Sequence, residues 1–460
     1  MKFDDRIKTR AAREGSPIPA DFDRRMDALL DTLPEPVQPV KTHRPFRLAV
    51  SLGIAAALVV GAAAGAPAML RMAQNRVDFF GGSTEYASQA DTFEQYNAAV
   101  GISAEHNGQT LTIDNLAADD NYLTVFFTLT GDTPIELVGD AQDPAHWRAK
   151  WTTPTFWAEV NGKLLDTSGS IENEAFLVDD HTLKGLHRLP LRTALPDQFD
   201  LLLFTNESSC DARDADFRFP LSVDKSAVSS RTVEPGRDFL VHYEGTDERG
   251  ERFTVDRTPR IERVSVSPLS STITLSEQSP DGAPWDSFVL RDDKGNFLPR
   301  LPAGMTAGGF GRSSNLFEFI GADETTKSIT VIPFISDYKA HQVKGALDDL
   351  PLTDGSASGL TLEALTVGKE QATATFSLHG AVWSAQAQFS LTDRNGDPVE
   401  FASAPYADSY VDRETGVVTA TLYYPGATEA ELSRIAGVSF LQTNDDIVLL
   451  EEQAVTIELP

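Results

Sequence analysis

The 460 residues carry 39 Lys and Arg against 68 Asp and Glu, a formal net charge of −29 at pH 7. That acidic excess argues against a nucleic-acid partner, whose phosphates it would repel. The single cysteine, Cys210, excludes an intrachain disulfide, so the fold must rest on hydrophobic cores, for which this length is ample.

In chain order, the first expected element is a short helix in a basic head, residues 1–46. Phe22, Met26, Leu29, Leu30 and Leu33 recur at helical spacing in ADFDRRMDALLDTLPE, so one face would be apolar and the other charged. A helix this short is marginal alone, and its stripe calls for a partner. The bland alternative is a poorly ordered leader with incidental periodicity.

The second element is the run Leu48–Leu70, 23 residues without an ionisable side chain. At about 1.5 Å rise per residue it is long enough for a ~30 Å hydrocarbon core. A transmembrane helix is expected over residues 47–72. Lys41, Arg44 and Arg47 before it favour a cytoplasmic N-terminus and extracytoplasmic C-terminal domains. A cleaved signal peptide is the rival reading, but the leader is long for one and Pro67 follows Ala66. Gly53, Ala57, Gly61 and Gly65 form a small-residue face that would permit close helix contact and a homodimer.

Residues 73–99 read as a juxtamembrane connector. Beyond them the chain reads as strand after strand: Thr110 to Ile113, Leu123 to Leu129, Phe217 to Val223, Arg263 to Val266, Ile329 to Ile332, Ala372 to Leu378 and Val417 to Tyr423. Short alternating runs between Gly, Pro, Asn and Asp clusters predict antiparallel β-sandwiches. The boundaries are set at 100–228 for a first sandwich, 229–350 for a second, 351–359 for a linker and 360–460 for a third. The motif F-x-L-x-D-x-x-G occurs twice, as Phe288 to Gly295 and Phe389 to Gly396, each downstream of a Trp, and predicts a hairpin closed by Asp and Gly. Thr428 to Ile435 predicts one or two helical turns. Ala303 to Gly311 predicts a hairpin tip rather than a phosphate loop, since it lacks the lysine.

Catalytic signatures are missing: there is no H-E-x-x-H, C-x-x-C, G-x-S-x-G or Walker loop, and the eight histidines are scattered. No enzyme activity, metal or cofactor is expected. Asp393, Asn395 and Asp397 have alternate-position oxygens, but a plain turn explains them without calcium. Adjacent carboxylates such as Asp119 and Asp120 point to opposite faces of a strand, which does not suit a catalytic pair. The surface binding candidate is the aromatic group Trp147, Trp151 and Trp157, which if exposed would stack on sugars or hold a peptide and if buried is core.

The layout is similar to the DUF4179 family of bacterial membrane proteins. The residues carrying this are FDRRMDALLDTLPE in the head, one Ala/Gly-rich crossing, and an exterior beginning QYNAAVGISAEHNGQTLTIDNLAADDNYLTVFFTL. The later units resemble the Ig-like domains that often follow in such chains. The resemblance implies a membrane-bound, anti-sigma-factor-like regulator of an extracytoplasmic-function sigma factor. The zinc-type H-x-x-x-C-x-x-C of many anti-sigma domains is missing here, so the head would bind through its apolar helix. The expectation is a mainly β, single-pass membrane protein: a short cytoplasmic helical head, one transmembrane helix, and two to three tandem Ig-like sandwiches sensing an unknown extracellular ligand. The alternative is an envelope adhesive or structural protein whose head only anchors it.

Overall fold

Asn-Gly pairs set two of the tightest turns. Asn107 and Gly108 have φ of 49° and 78°, and Asn161 and Gly162 have 49° and 74°. Positive φ at both central residues gives the turn twist that matches a hairpin, and each pair joins two antiparallel strands, Ala98–His106 to Gln109–Ala118 and Phe156–Val160 to Lys163–Leu164. The repeated motif closes in the same spirit. Gly295 and Gly396 adopt φ of 91° and 81°. Asp292 Oδ1 accepts from the backbone N–H of Lys294 and Asn296 at 2.9 and 2.7 Å, and Asp393 Oδ1 from Asn395 and Asp397 at 2.8 and 3.2 Å.

The computed structural model describes residues 69–460 apart from 83–84, 141–142, 166–171, 207–211, 247–250, 279–284, 310–311, 337–340, 404 and 443–446. The head residues Phe22, Met26, Leu29, Leu30 and Leu33, the face Gly53, Ala57, Gly61 and Gly65, and Cys210 lie outside the described residues, as does the apolar run up to residue 68. Among the described residues no helix is long and apolar enough to cross a membrane. The chain is mainly β, in antiparallel sheets that gather around three principal cores.

The first body holds two five-stranded sheets. One orders Met69–Arg71, Phe217–Asp224, Gln198–Thr205, Phe156–Val160 and Lys163–Leu164; the other orders Ala98–His106, Gln109–Ala118, Tyr122–Gly131, Thr182–Pro190 and Glu172–Asp179. Both contribute to one core, including Ile113, Phe126 and Leu186 from the second and Phe156, Leu203 and Phe219 from the first. Residues 73–99, expected as a connector, are part of this body. Val77, Phe79, Tyr86 and Phe93 are buried in its core, and Phe93 meets Phe126 edge to face at 5.3 Å. Asn97, fully buried, donates to the Phe93 and Asn75 carbonyls at 2.8 Å each and accepts from Asn115 at 2.8 Å. The end of the apolar run also differs from expectation. Met69–Arg71 form a strand, parallel to Phe217–Asp224 with Leu70 opposite Val223, so any crossing helix must stop before Met69.

The second body pairs Arg231–Val233, Arg260–Val266, Ser271–Glu277, Arg312–Phe319 and Arg300–Gly309 in one sheet; most of the Gly-rich stretch expected as a hairpin tip, through Gly309, belongs to the last of these strands, paired with Arg312–Phe319. Its other sheet runs Phe297–Leu298, Phe288–Asp292, Ser328–Ile335, and there the chain departs. It builds the third body from His341–Ala346, Gly437–Gln442 and Phe389–Thr392 on one side and Gly359–Val367, Gln371–His379, Val418–Tyr423 and Tyr406–Val411 on the other. Their shared core includes Leu362, Phe376, Val418 and Phe440. It then returns: Val448–Leu449 and Val455–Glu458 both pair with Ser328–Ile335, and Val455 and Ile457 are buried in the second core. The third body is thus an insertion between neighbouring strands of the second.

Boundaries read from the sequence follow chain order, and this pairing does not. The segment 351–359, expected as a linker, lies inside the third body, where Leu352 bridges to Leu362. The short helix expected near Thr428 is present as Glu429–Leu432, closed by a capping box of Thr428 and Glu431. The helix Ala145–Thr152 was not anticipated.

Because Ile457 belongs to the second core, Ile457→Ala should cost about 2–5 kcal/mol. Hydrogen exchange should accelerate in Ile329–Ile332 and leave Val438–Phe440 unchanged; the reverse pattern would assign the last strand to the third body.

Candidate functional site

The strand Ser271–Glu277 is buried at all seven positions although its sequence alternates apolar and polar. Ile273 and Leu275 face the second core, while Thr272 on the other face reaches Asn121 of the first body. The polar faces of the second body are therefore docking surfaces.

At the centre of the docking lies Glu318, 2% exposed. Arg188, from the first body, grips it in a bidentate pair at 2.9 Å on each oxygen. Arg413, from the third body, reaches Glu318 Oε2 at 2.6 Å and Glu85 Oε1 at 3.7 Å. Tyr122 stacks under the Arg188 guanidinium, 3.7 Å from ring centroid to Cζ, and Tyr86 under Arg413 at 4.7 Å. Burial would raise the Glu318 carboxyl, but the two guanidiniums outweigh it and hold it well below the usual range. Two arginines and two carboxylates thus join three bodies at one point.

A second network flanks it. Asp119 Oδ1 accepts from the N–H of Asn121 and Tyr122 at 2.7 Å each, while its Oδ2 accepts from Ser270 at 2.6 Å and from Ser267. Asp120 divides its oxygens between Lys225 at 2.7 Å and Thr232 at 2.6 Å. Arg263 donates to the carbonyls of Asp120 and Leu191, and its burial pushes the guanidinium down against the pull of Asp120 and Asp119. The adjacent carboxylates are therefore engaged separately, each by its own set of donors.

The second and third bodies share one further anchor. Arg300 is buried, donates to the carbonyls of Trp383 and Asp286 at 2.8 Å each, and lies 4.1 Å over the Phe288 ring. Burial lowers its pKa to about 10.

The aromatic candidates divide. Trp147 donates to Asp408 of the third body at 3.2 Å and packs edge-on against Tyr406, with His146 on the same carboxylate at 3.0 Å. His146 and Trp147 hold Asp408 below the usual carboxylate range against the effect of burial. Trp157 is half-buried and donates to the Asn206 carbonyl at 3.3 Å. Only Trp151 is largely open, at 52%. Sequence reasoning missed Glu318, Arg188 and Arg413. Glu318 had a signal, a charge set between Phe317 and Phe319 within a strand; Arg188, beside His187 in a strand that also holds Lys184, and Arg413, between Asp412 and Glu414 in a turn, had none.

What this geometry defines is a β protein of three bodies interlocked by buried ion pairs. Residues 43–131 match the model of the domain of unknown function DUF4179. Residues 254–364 match the family of unknown function DUF5643. The two segments dock on one another: Asp119 and Tyr122 lie in the first, and Arg263, Ser270 and Glu318 in the second. A solved structure described as "the conserved domain protein from Bacillus anthracis" is similar at 15% identity over 79% of this chain and 92% of its own. Its TM-score of 0.34 is too low to carry a statement about fold. No curated protein matches the chain.

Glu318→Gln should destabilise the protein by about 3–5 kcal/mol, because it leaves buried guanidiniums without their counter-charge; denaturant unfolding measures this. The sign of the pH dependence follows from the depressed carboxyl. Its contribution is complete above the unfolded value of about 4.3 and is lost as pH falls through the folded value, so acid should loosen the junction and the Glu318→Gln substitution should flatten that slope.

His187 gives a separate acid effect. Fully buried against Phe156, its imidazole is pushed down to about 3. The unfolded chain therefore takes a proton that the folded one refuses, and stability should fall as pH drops from about 6.5. His187→Leu should remove that part of the slope in acid titrations followed by circular dichroism.

Proposed function

We propose that this chain is a single-pass envelope sensor whose exterior, a set of Ig-like β-sandwiches, reports to a cytoplasmic head of anti-sigma-factor type. The observation that carries the reading is the strand Met69–Arg71. It begins at the end of the apolar run and is hydrogen-bonded into the first body beside Phe217–Asp224, with Met72 donating to the Asp224 carbonyl at 3.0 Å. A crossing helix that ended there would pass into the sheet with no linker between them. In this reading, movement of the exterior would pass to the apolar segment through that strand, as a relay requires. The sandwich reading is supported by the two sheets of the first body sharing one core, and again by those of the second and third.

In this reading Lys41, Arg44 and Arg47 keep the head inside the cell and the acidic domains lie outside. Phe22, Met26, Leu29, Leu30 and Leu33 occupy a groove on an extracytoplasmic-function sigma factor as a helix. Gly53, Ala57, Gly61 and Gly65 provide the contact face for a homodimer within the membrane.

The test is to purify the full-length protein from native membranes, wild type against Leu29→Asp/Leu30→Asp, and identify what accompanies it. A sigma factor retained by the wild type and lost at least tenfold by the double variant supports the relay. Equal recovery from both, or none from the wild type, removes the head from signalling and favours an anchored adhesive or structural protein.

A further inference from the structure

Trp151 stands at a cleft that the interlocking of the bodies does not use. At one end of the first body, the Asn107-Gly108 hairpin, the loop 131–138, the end of helix Ala145–Thr152 and the strand ends near Thr205 and Phe217 enclose a cavity of about 670 Å³. That is within the ~300–1,000 Å³ range of small-molecule sites.

We infer that this cavity binds a neutral carbohydrate, with Trp151 as the stacking platform. The ring is held ready. Gly139, at φ +105°, lies so close that a Cβ there would stand 3.0 Å from Cε3 and Cζ3 of Trp151, so the glycine backbone supports the indole while the residue as a whole stays about half exposed. A rigid, open aromatic face gives large contact area at low entropic cost and suits the C–H face of a sugar ring.

The polar lining selects the class. Asp132, Glu136 and Asp216 bring carboxylates, Gln109 and Thr133 bring an amide and a hydroxyl, and among the described residues no lysine or arginine lines the cavity. Carboxylates accept strongly from hydroxyl groups. The same carboxylates, with His106 as the one basic side chain among the described lining residues, paired with Asp216 at 3.4 Å, would repel phosphate, sulfate or uronate groups. A lipid is disfavoured because polar side chains interrupt the apolar wall. The ligand chemistry that remains is a neutral, hydroxyl-rich ring. This inference stands whether the chain signals or only adheres.

The experiment is calorimetric titration of the full-length protein in phosphatidylcholine nanodiscs with three probes: the β-1,4-linked N-acetylglucosamine tetramer, cellotetraose, and a lysine octapeptide. Saturable binding of at least one tetrasaccharide is expected, weakened tenfold or more by Trp151→Ala and less by Trp151→Phe. Asp132→Asn, which preserves shape, should weaken it several-fold, and it provides the reading if Trp151→Ala fails to fold by near-ultraviolet circular dichroism. The proposal is overturned if neither sugar binds, if folded Trp151→Ala binds like the wild type, if Asp132→Asn binds like the wild type when it provides the reading, or if only the lysine peptide binds.

Discussion

The whole described structure turns on how a buried carboxylate is neutralised. Glu318 on a strand of the second body cannot remain ionised away from water without its two guanidiniums, and each of these comes from a different body. Attraction in such a place has to offset several kcal/mol of desolvation per ion, which it does only when geometry and hydrogen bonding are nearly complete. Bidentate contact from Arg188, the ion pairs of Arg413 with Glu318 and Glu85, and the tyrosine rings beneath both guanidiniums supply that compensation. A small displacement of any one body strands charge. The interlock therefore imposes registration on all three at once, which apolar contact, being non-directional, does not.

Chain path reinforces this. The second body is incomplete until the last strand returns from the third, so the third cannot swing as a bead on a string: it is tied at both its entry, after Ser328–Ile335, and its exit, before Val448–Leu449. Arg300 and the Asp408 contacts of His146 and Trp147 add ties from the second and first bodies. In the sensing proposal, a ligand bound to one body would act on the others through these ties. The parallel strand Met69–Arg71 gives that assembly its connection to the apolar segment.

Two kinds of buried ionisable group coexist here and are held in opposite charge states. Glu318 is kept charged by its partners, whereas His187 is kept neutral by an apolar shell. Both make acid unfavourable, one through loss of an ion pair and the other through a proton taken up only on unfolding. Acid sensitivity is thus built into the docking surface and the first core separately.

Sequence by itself determined the local geometry. Alternation predicted strands such as Leu123 to Leu129 and Ala372 to Leu378, since period-two patterning requires no distant information. Asn-Gly and Asp-x-x-Gly turns closed as their positive-φ preferences demand, and the DUF4179 match covers one contiguous segment, residues 43–131. Only the tertiary structure decided which strands share a sheet. The partner of Val455–Glu458 lies more than a hundred residues earlier, and no local pattern encodes that distance. It likewise decided that the polar face of Ser271–Glu277 is buried, that Trp147 is an internal contact while Trp151 is open, and that Asp119 and Asp120 are docking acceptors. Burial of a polar side chain depends on what arrives from elsewhere in the chain: for Glu318 the sequence showed only a charge between two phenylalanines, and Arg188 and Arg413 stand among other polar residues that give no such sign.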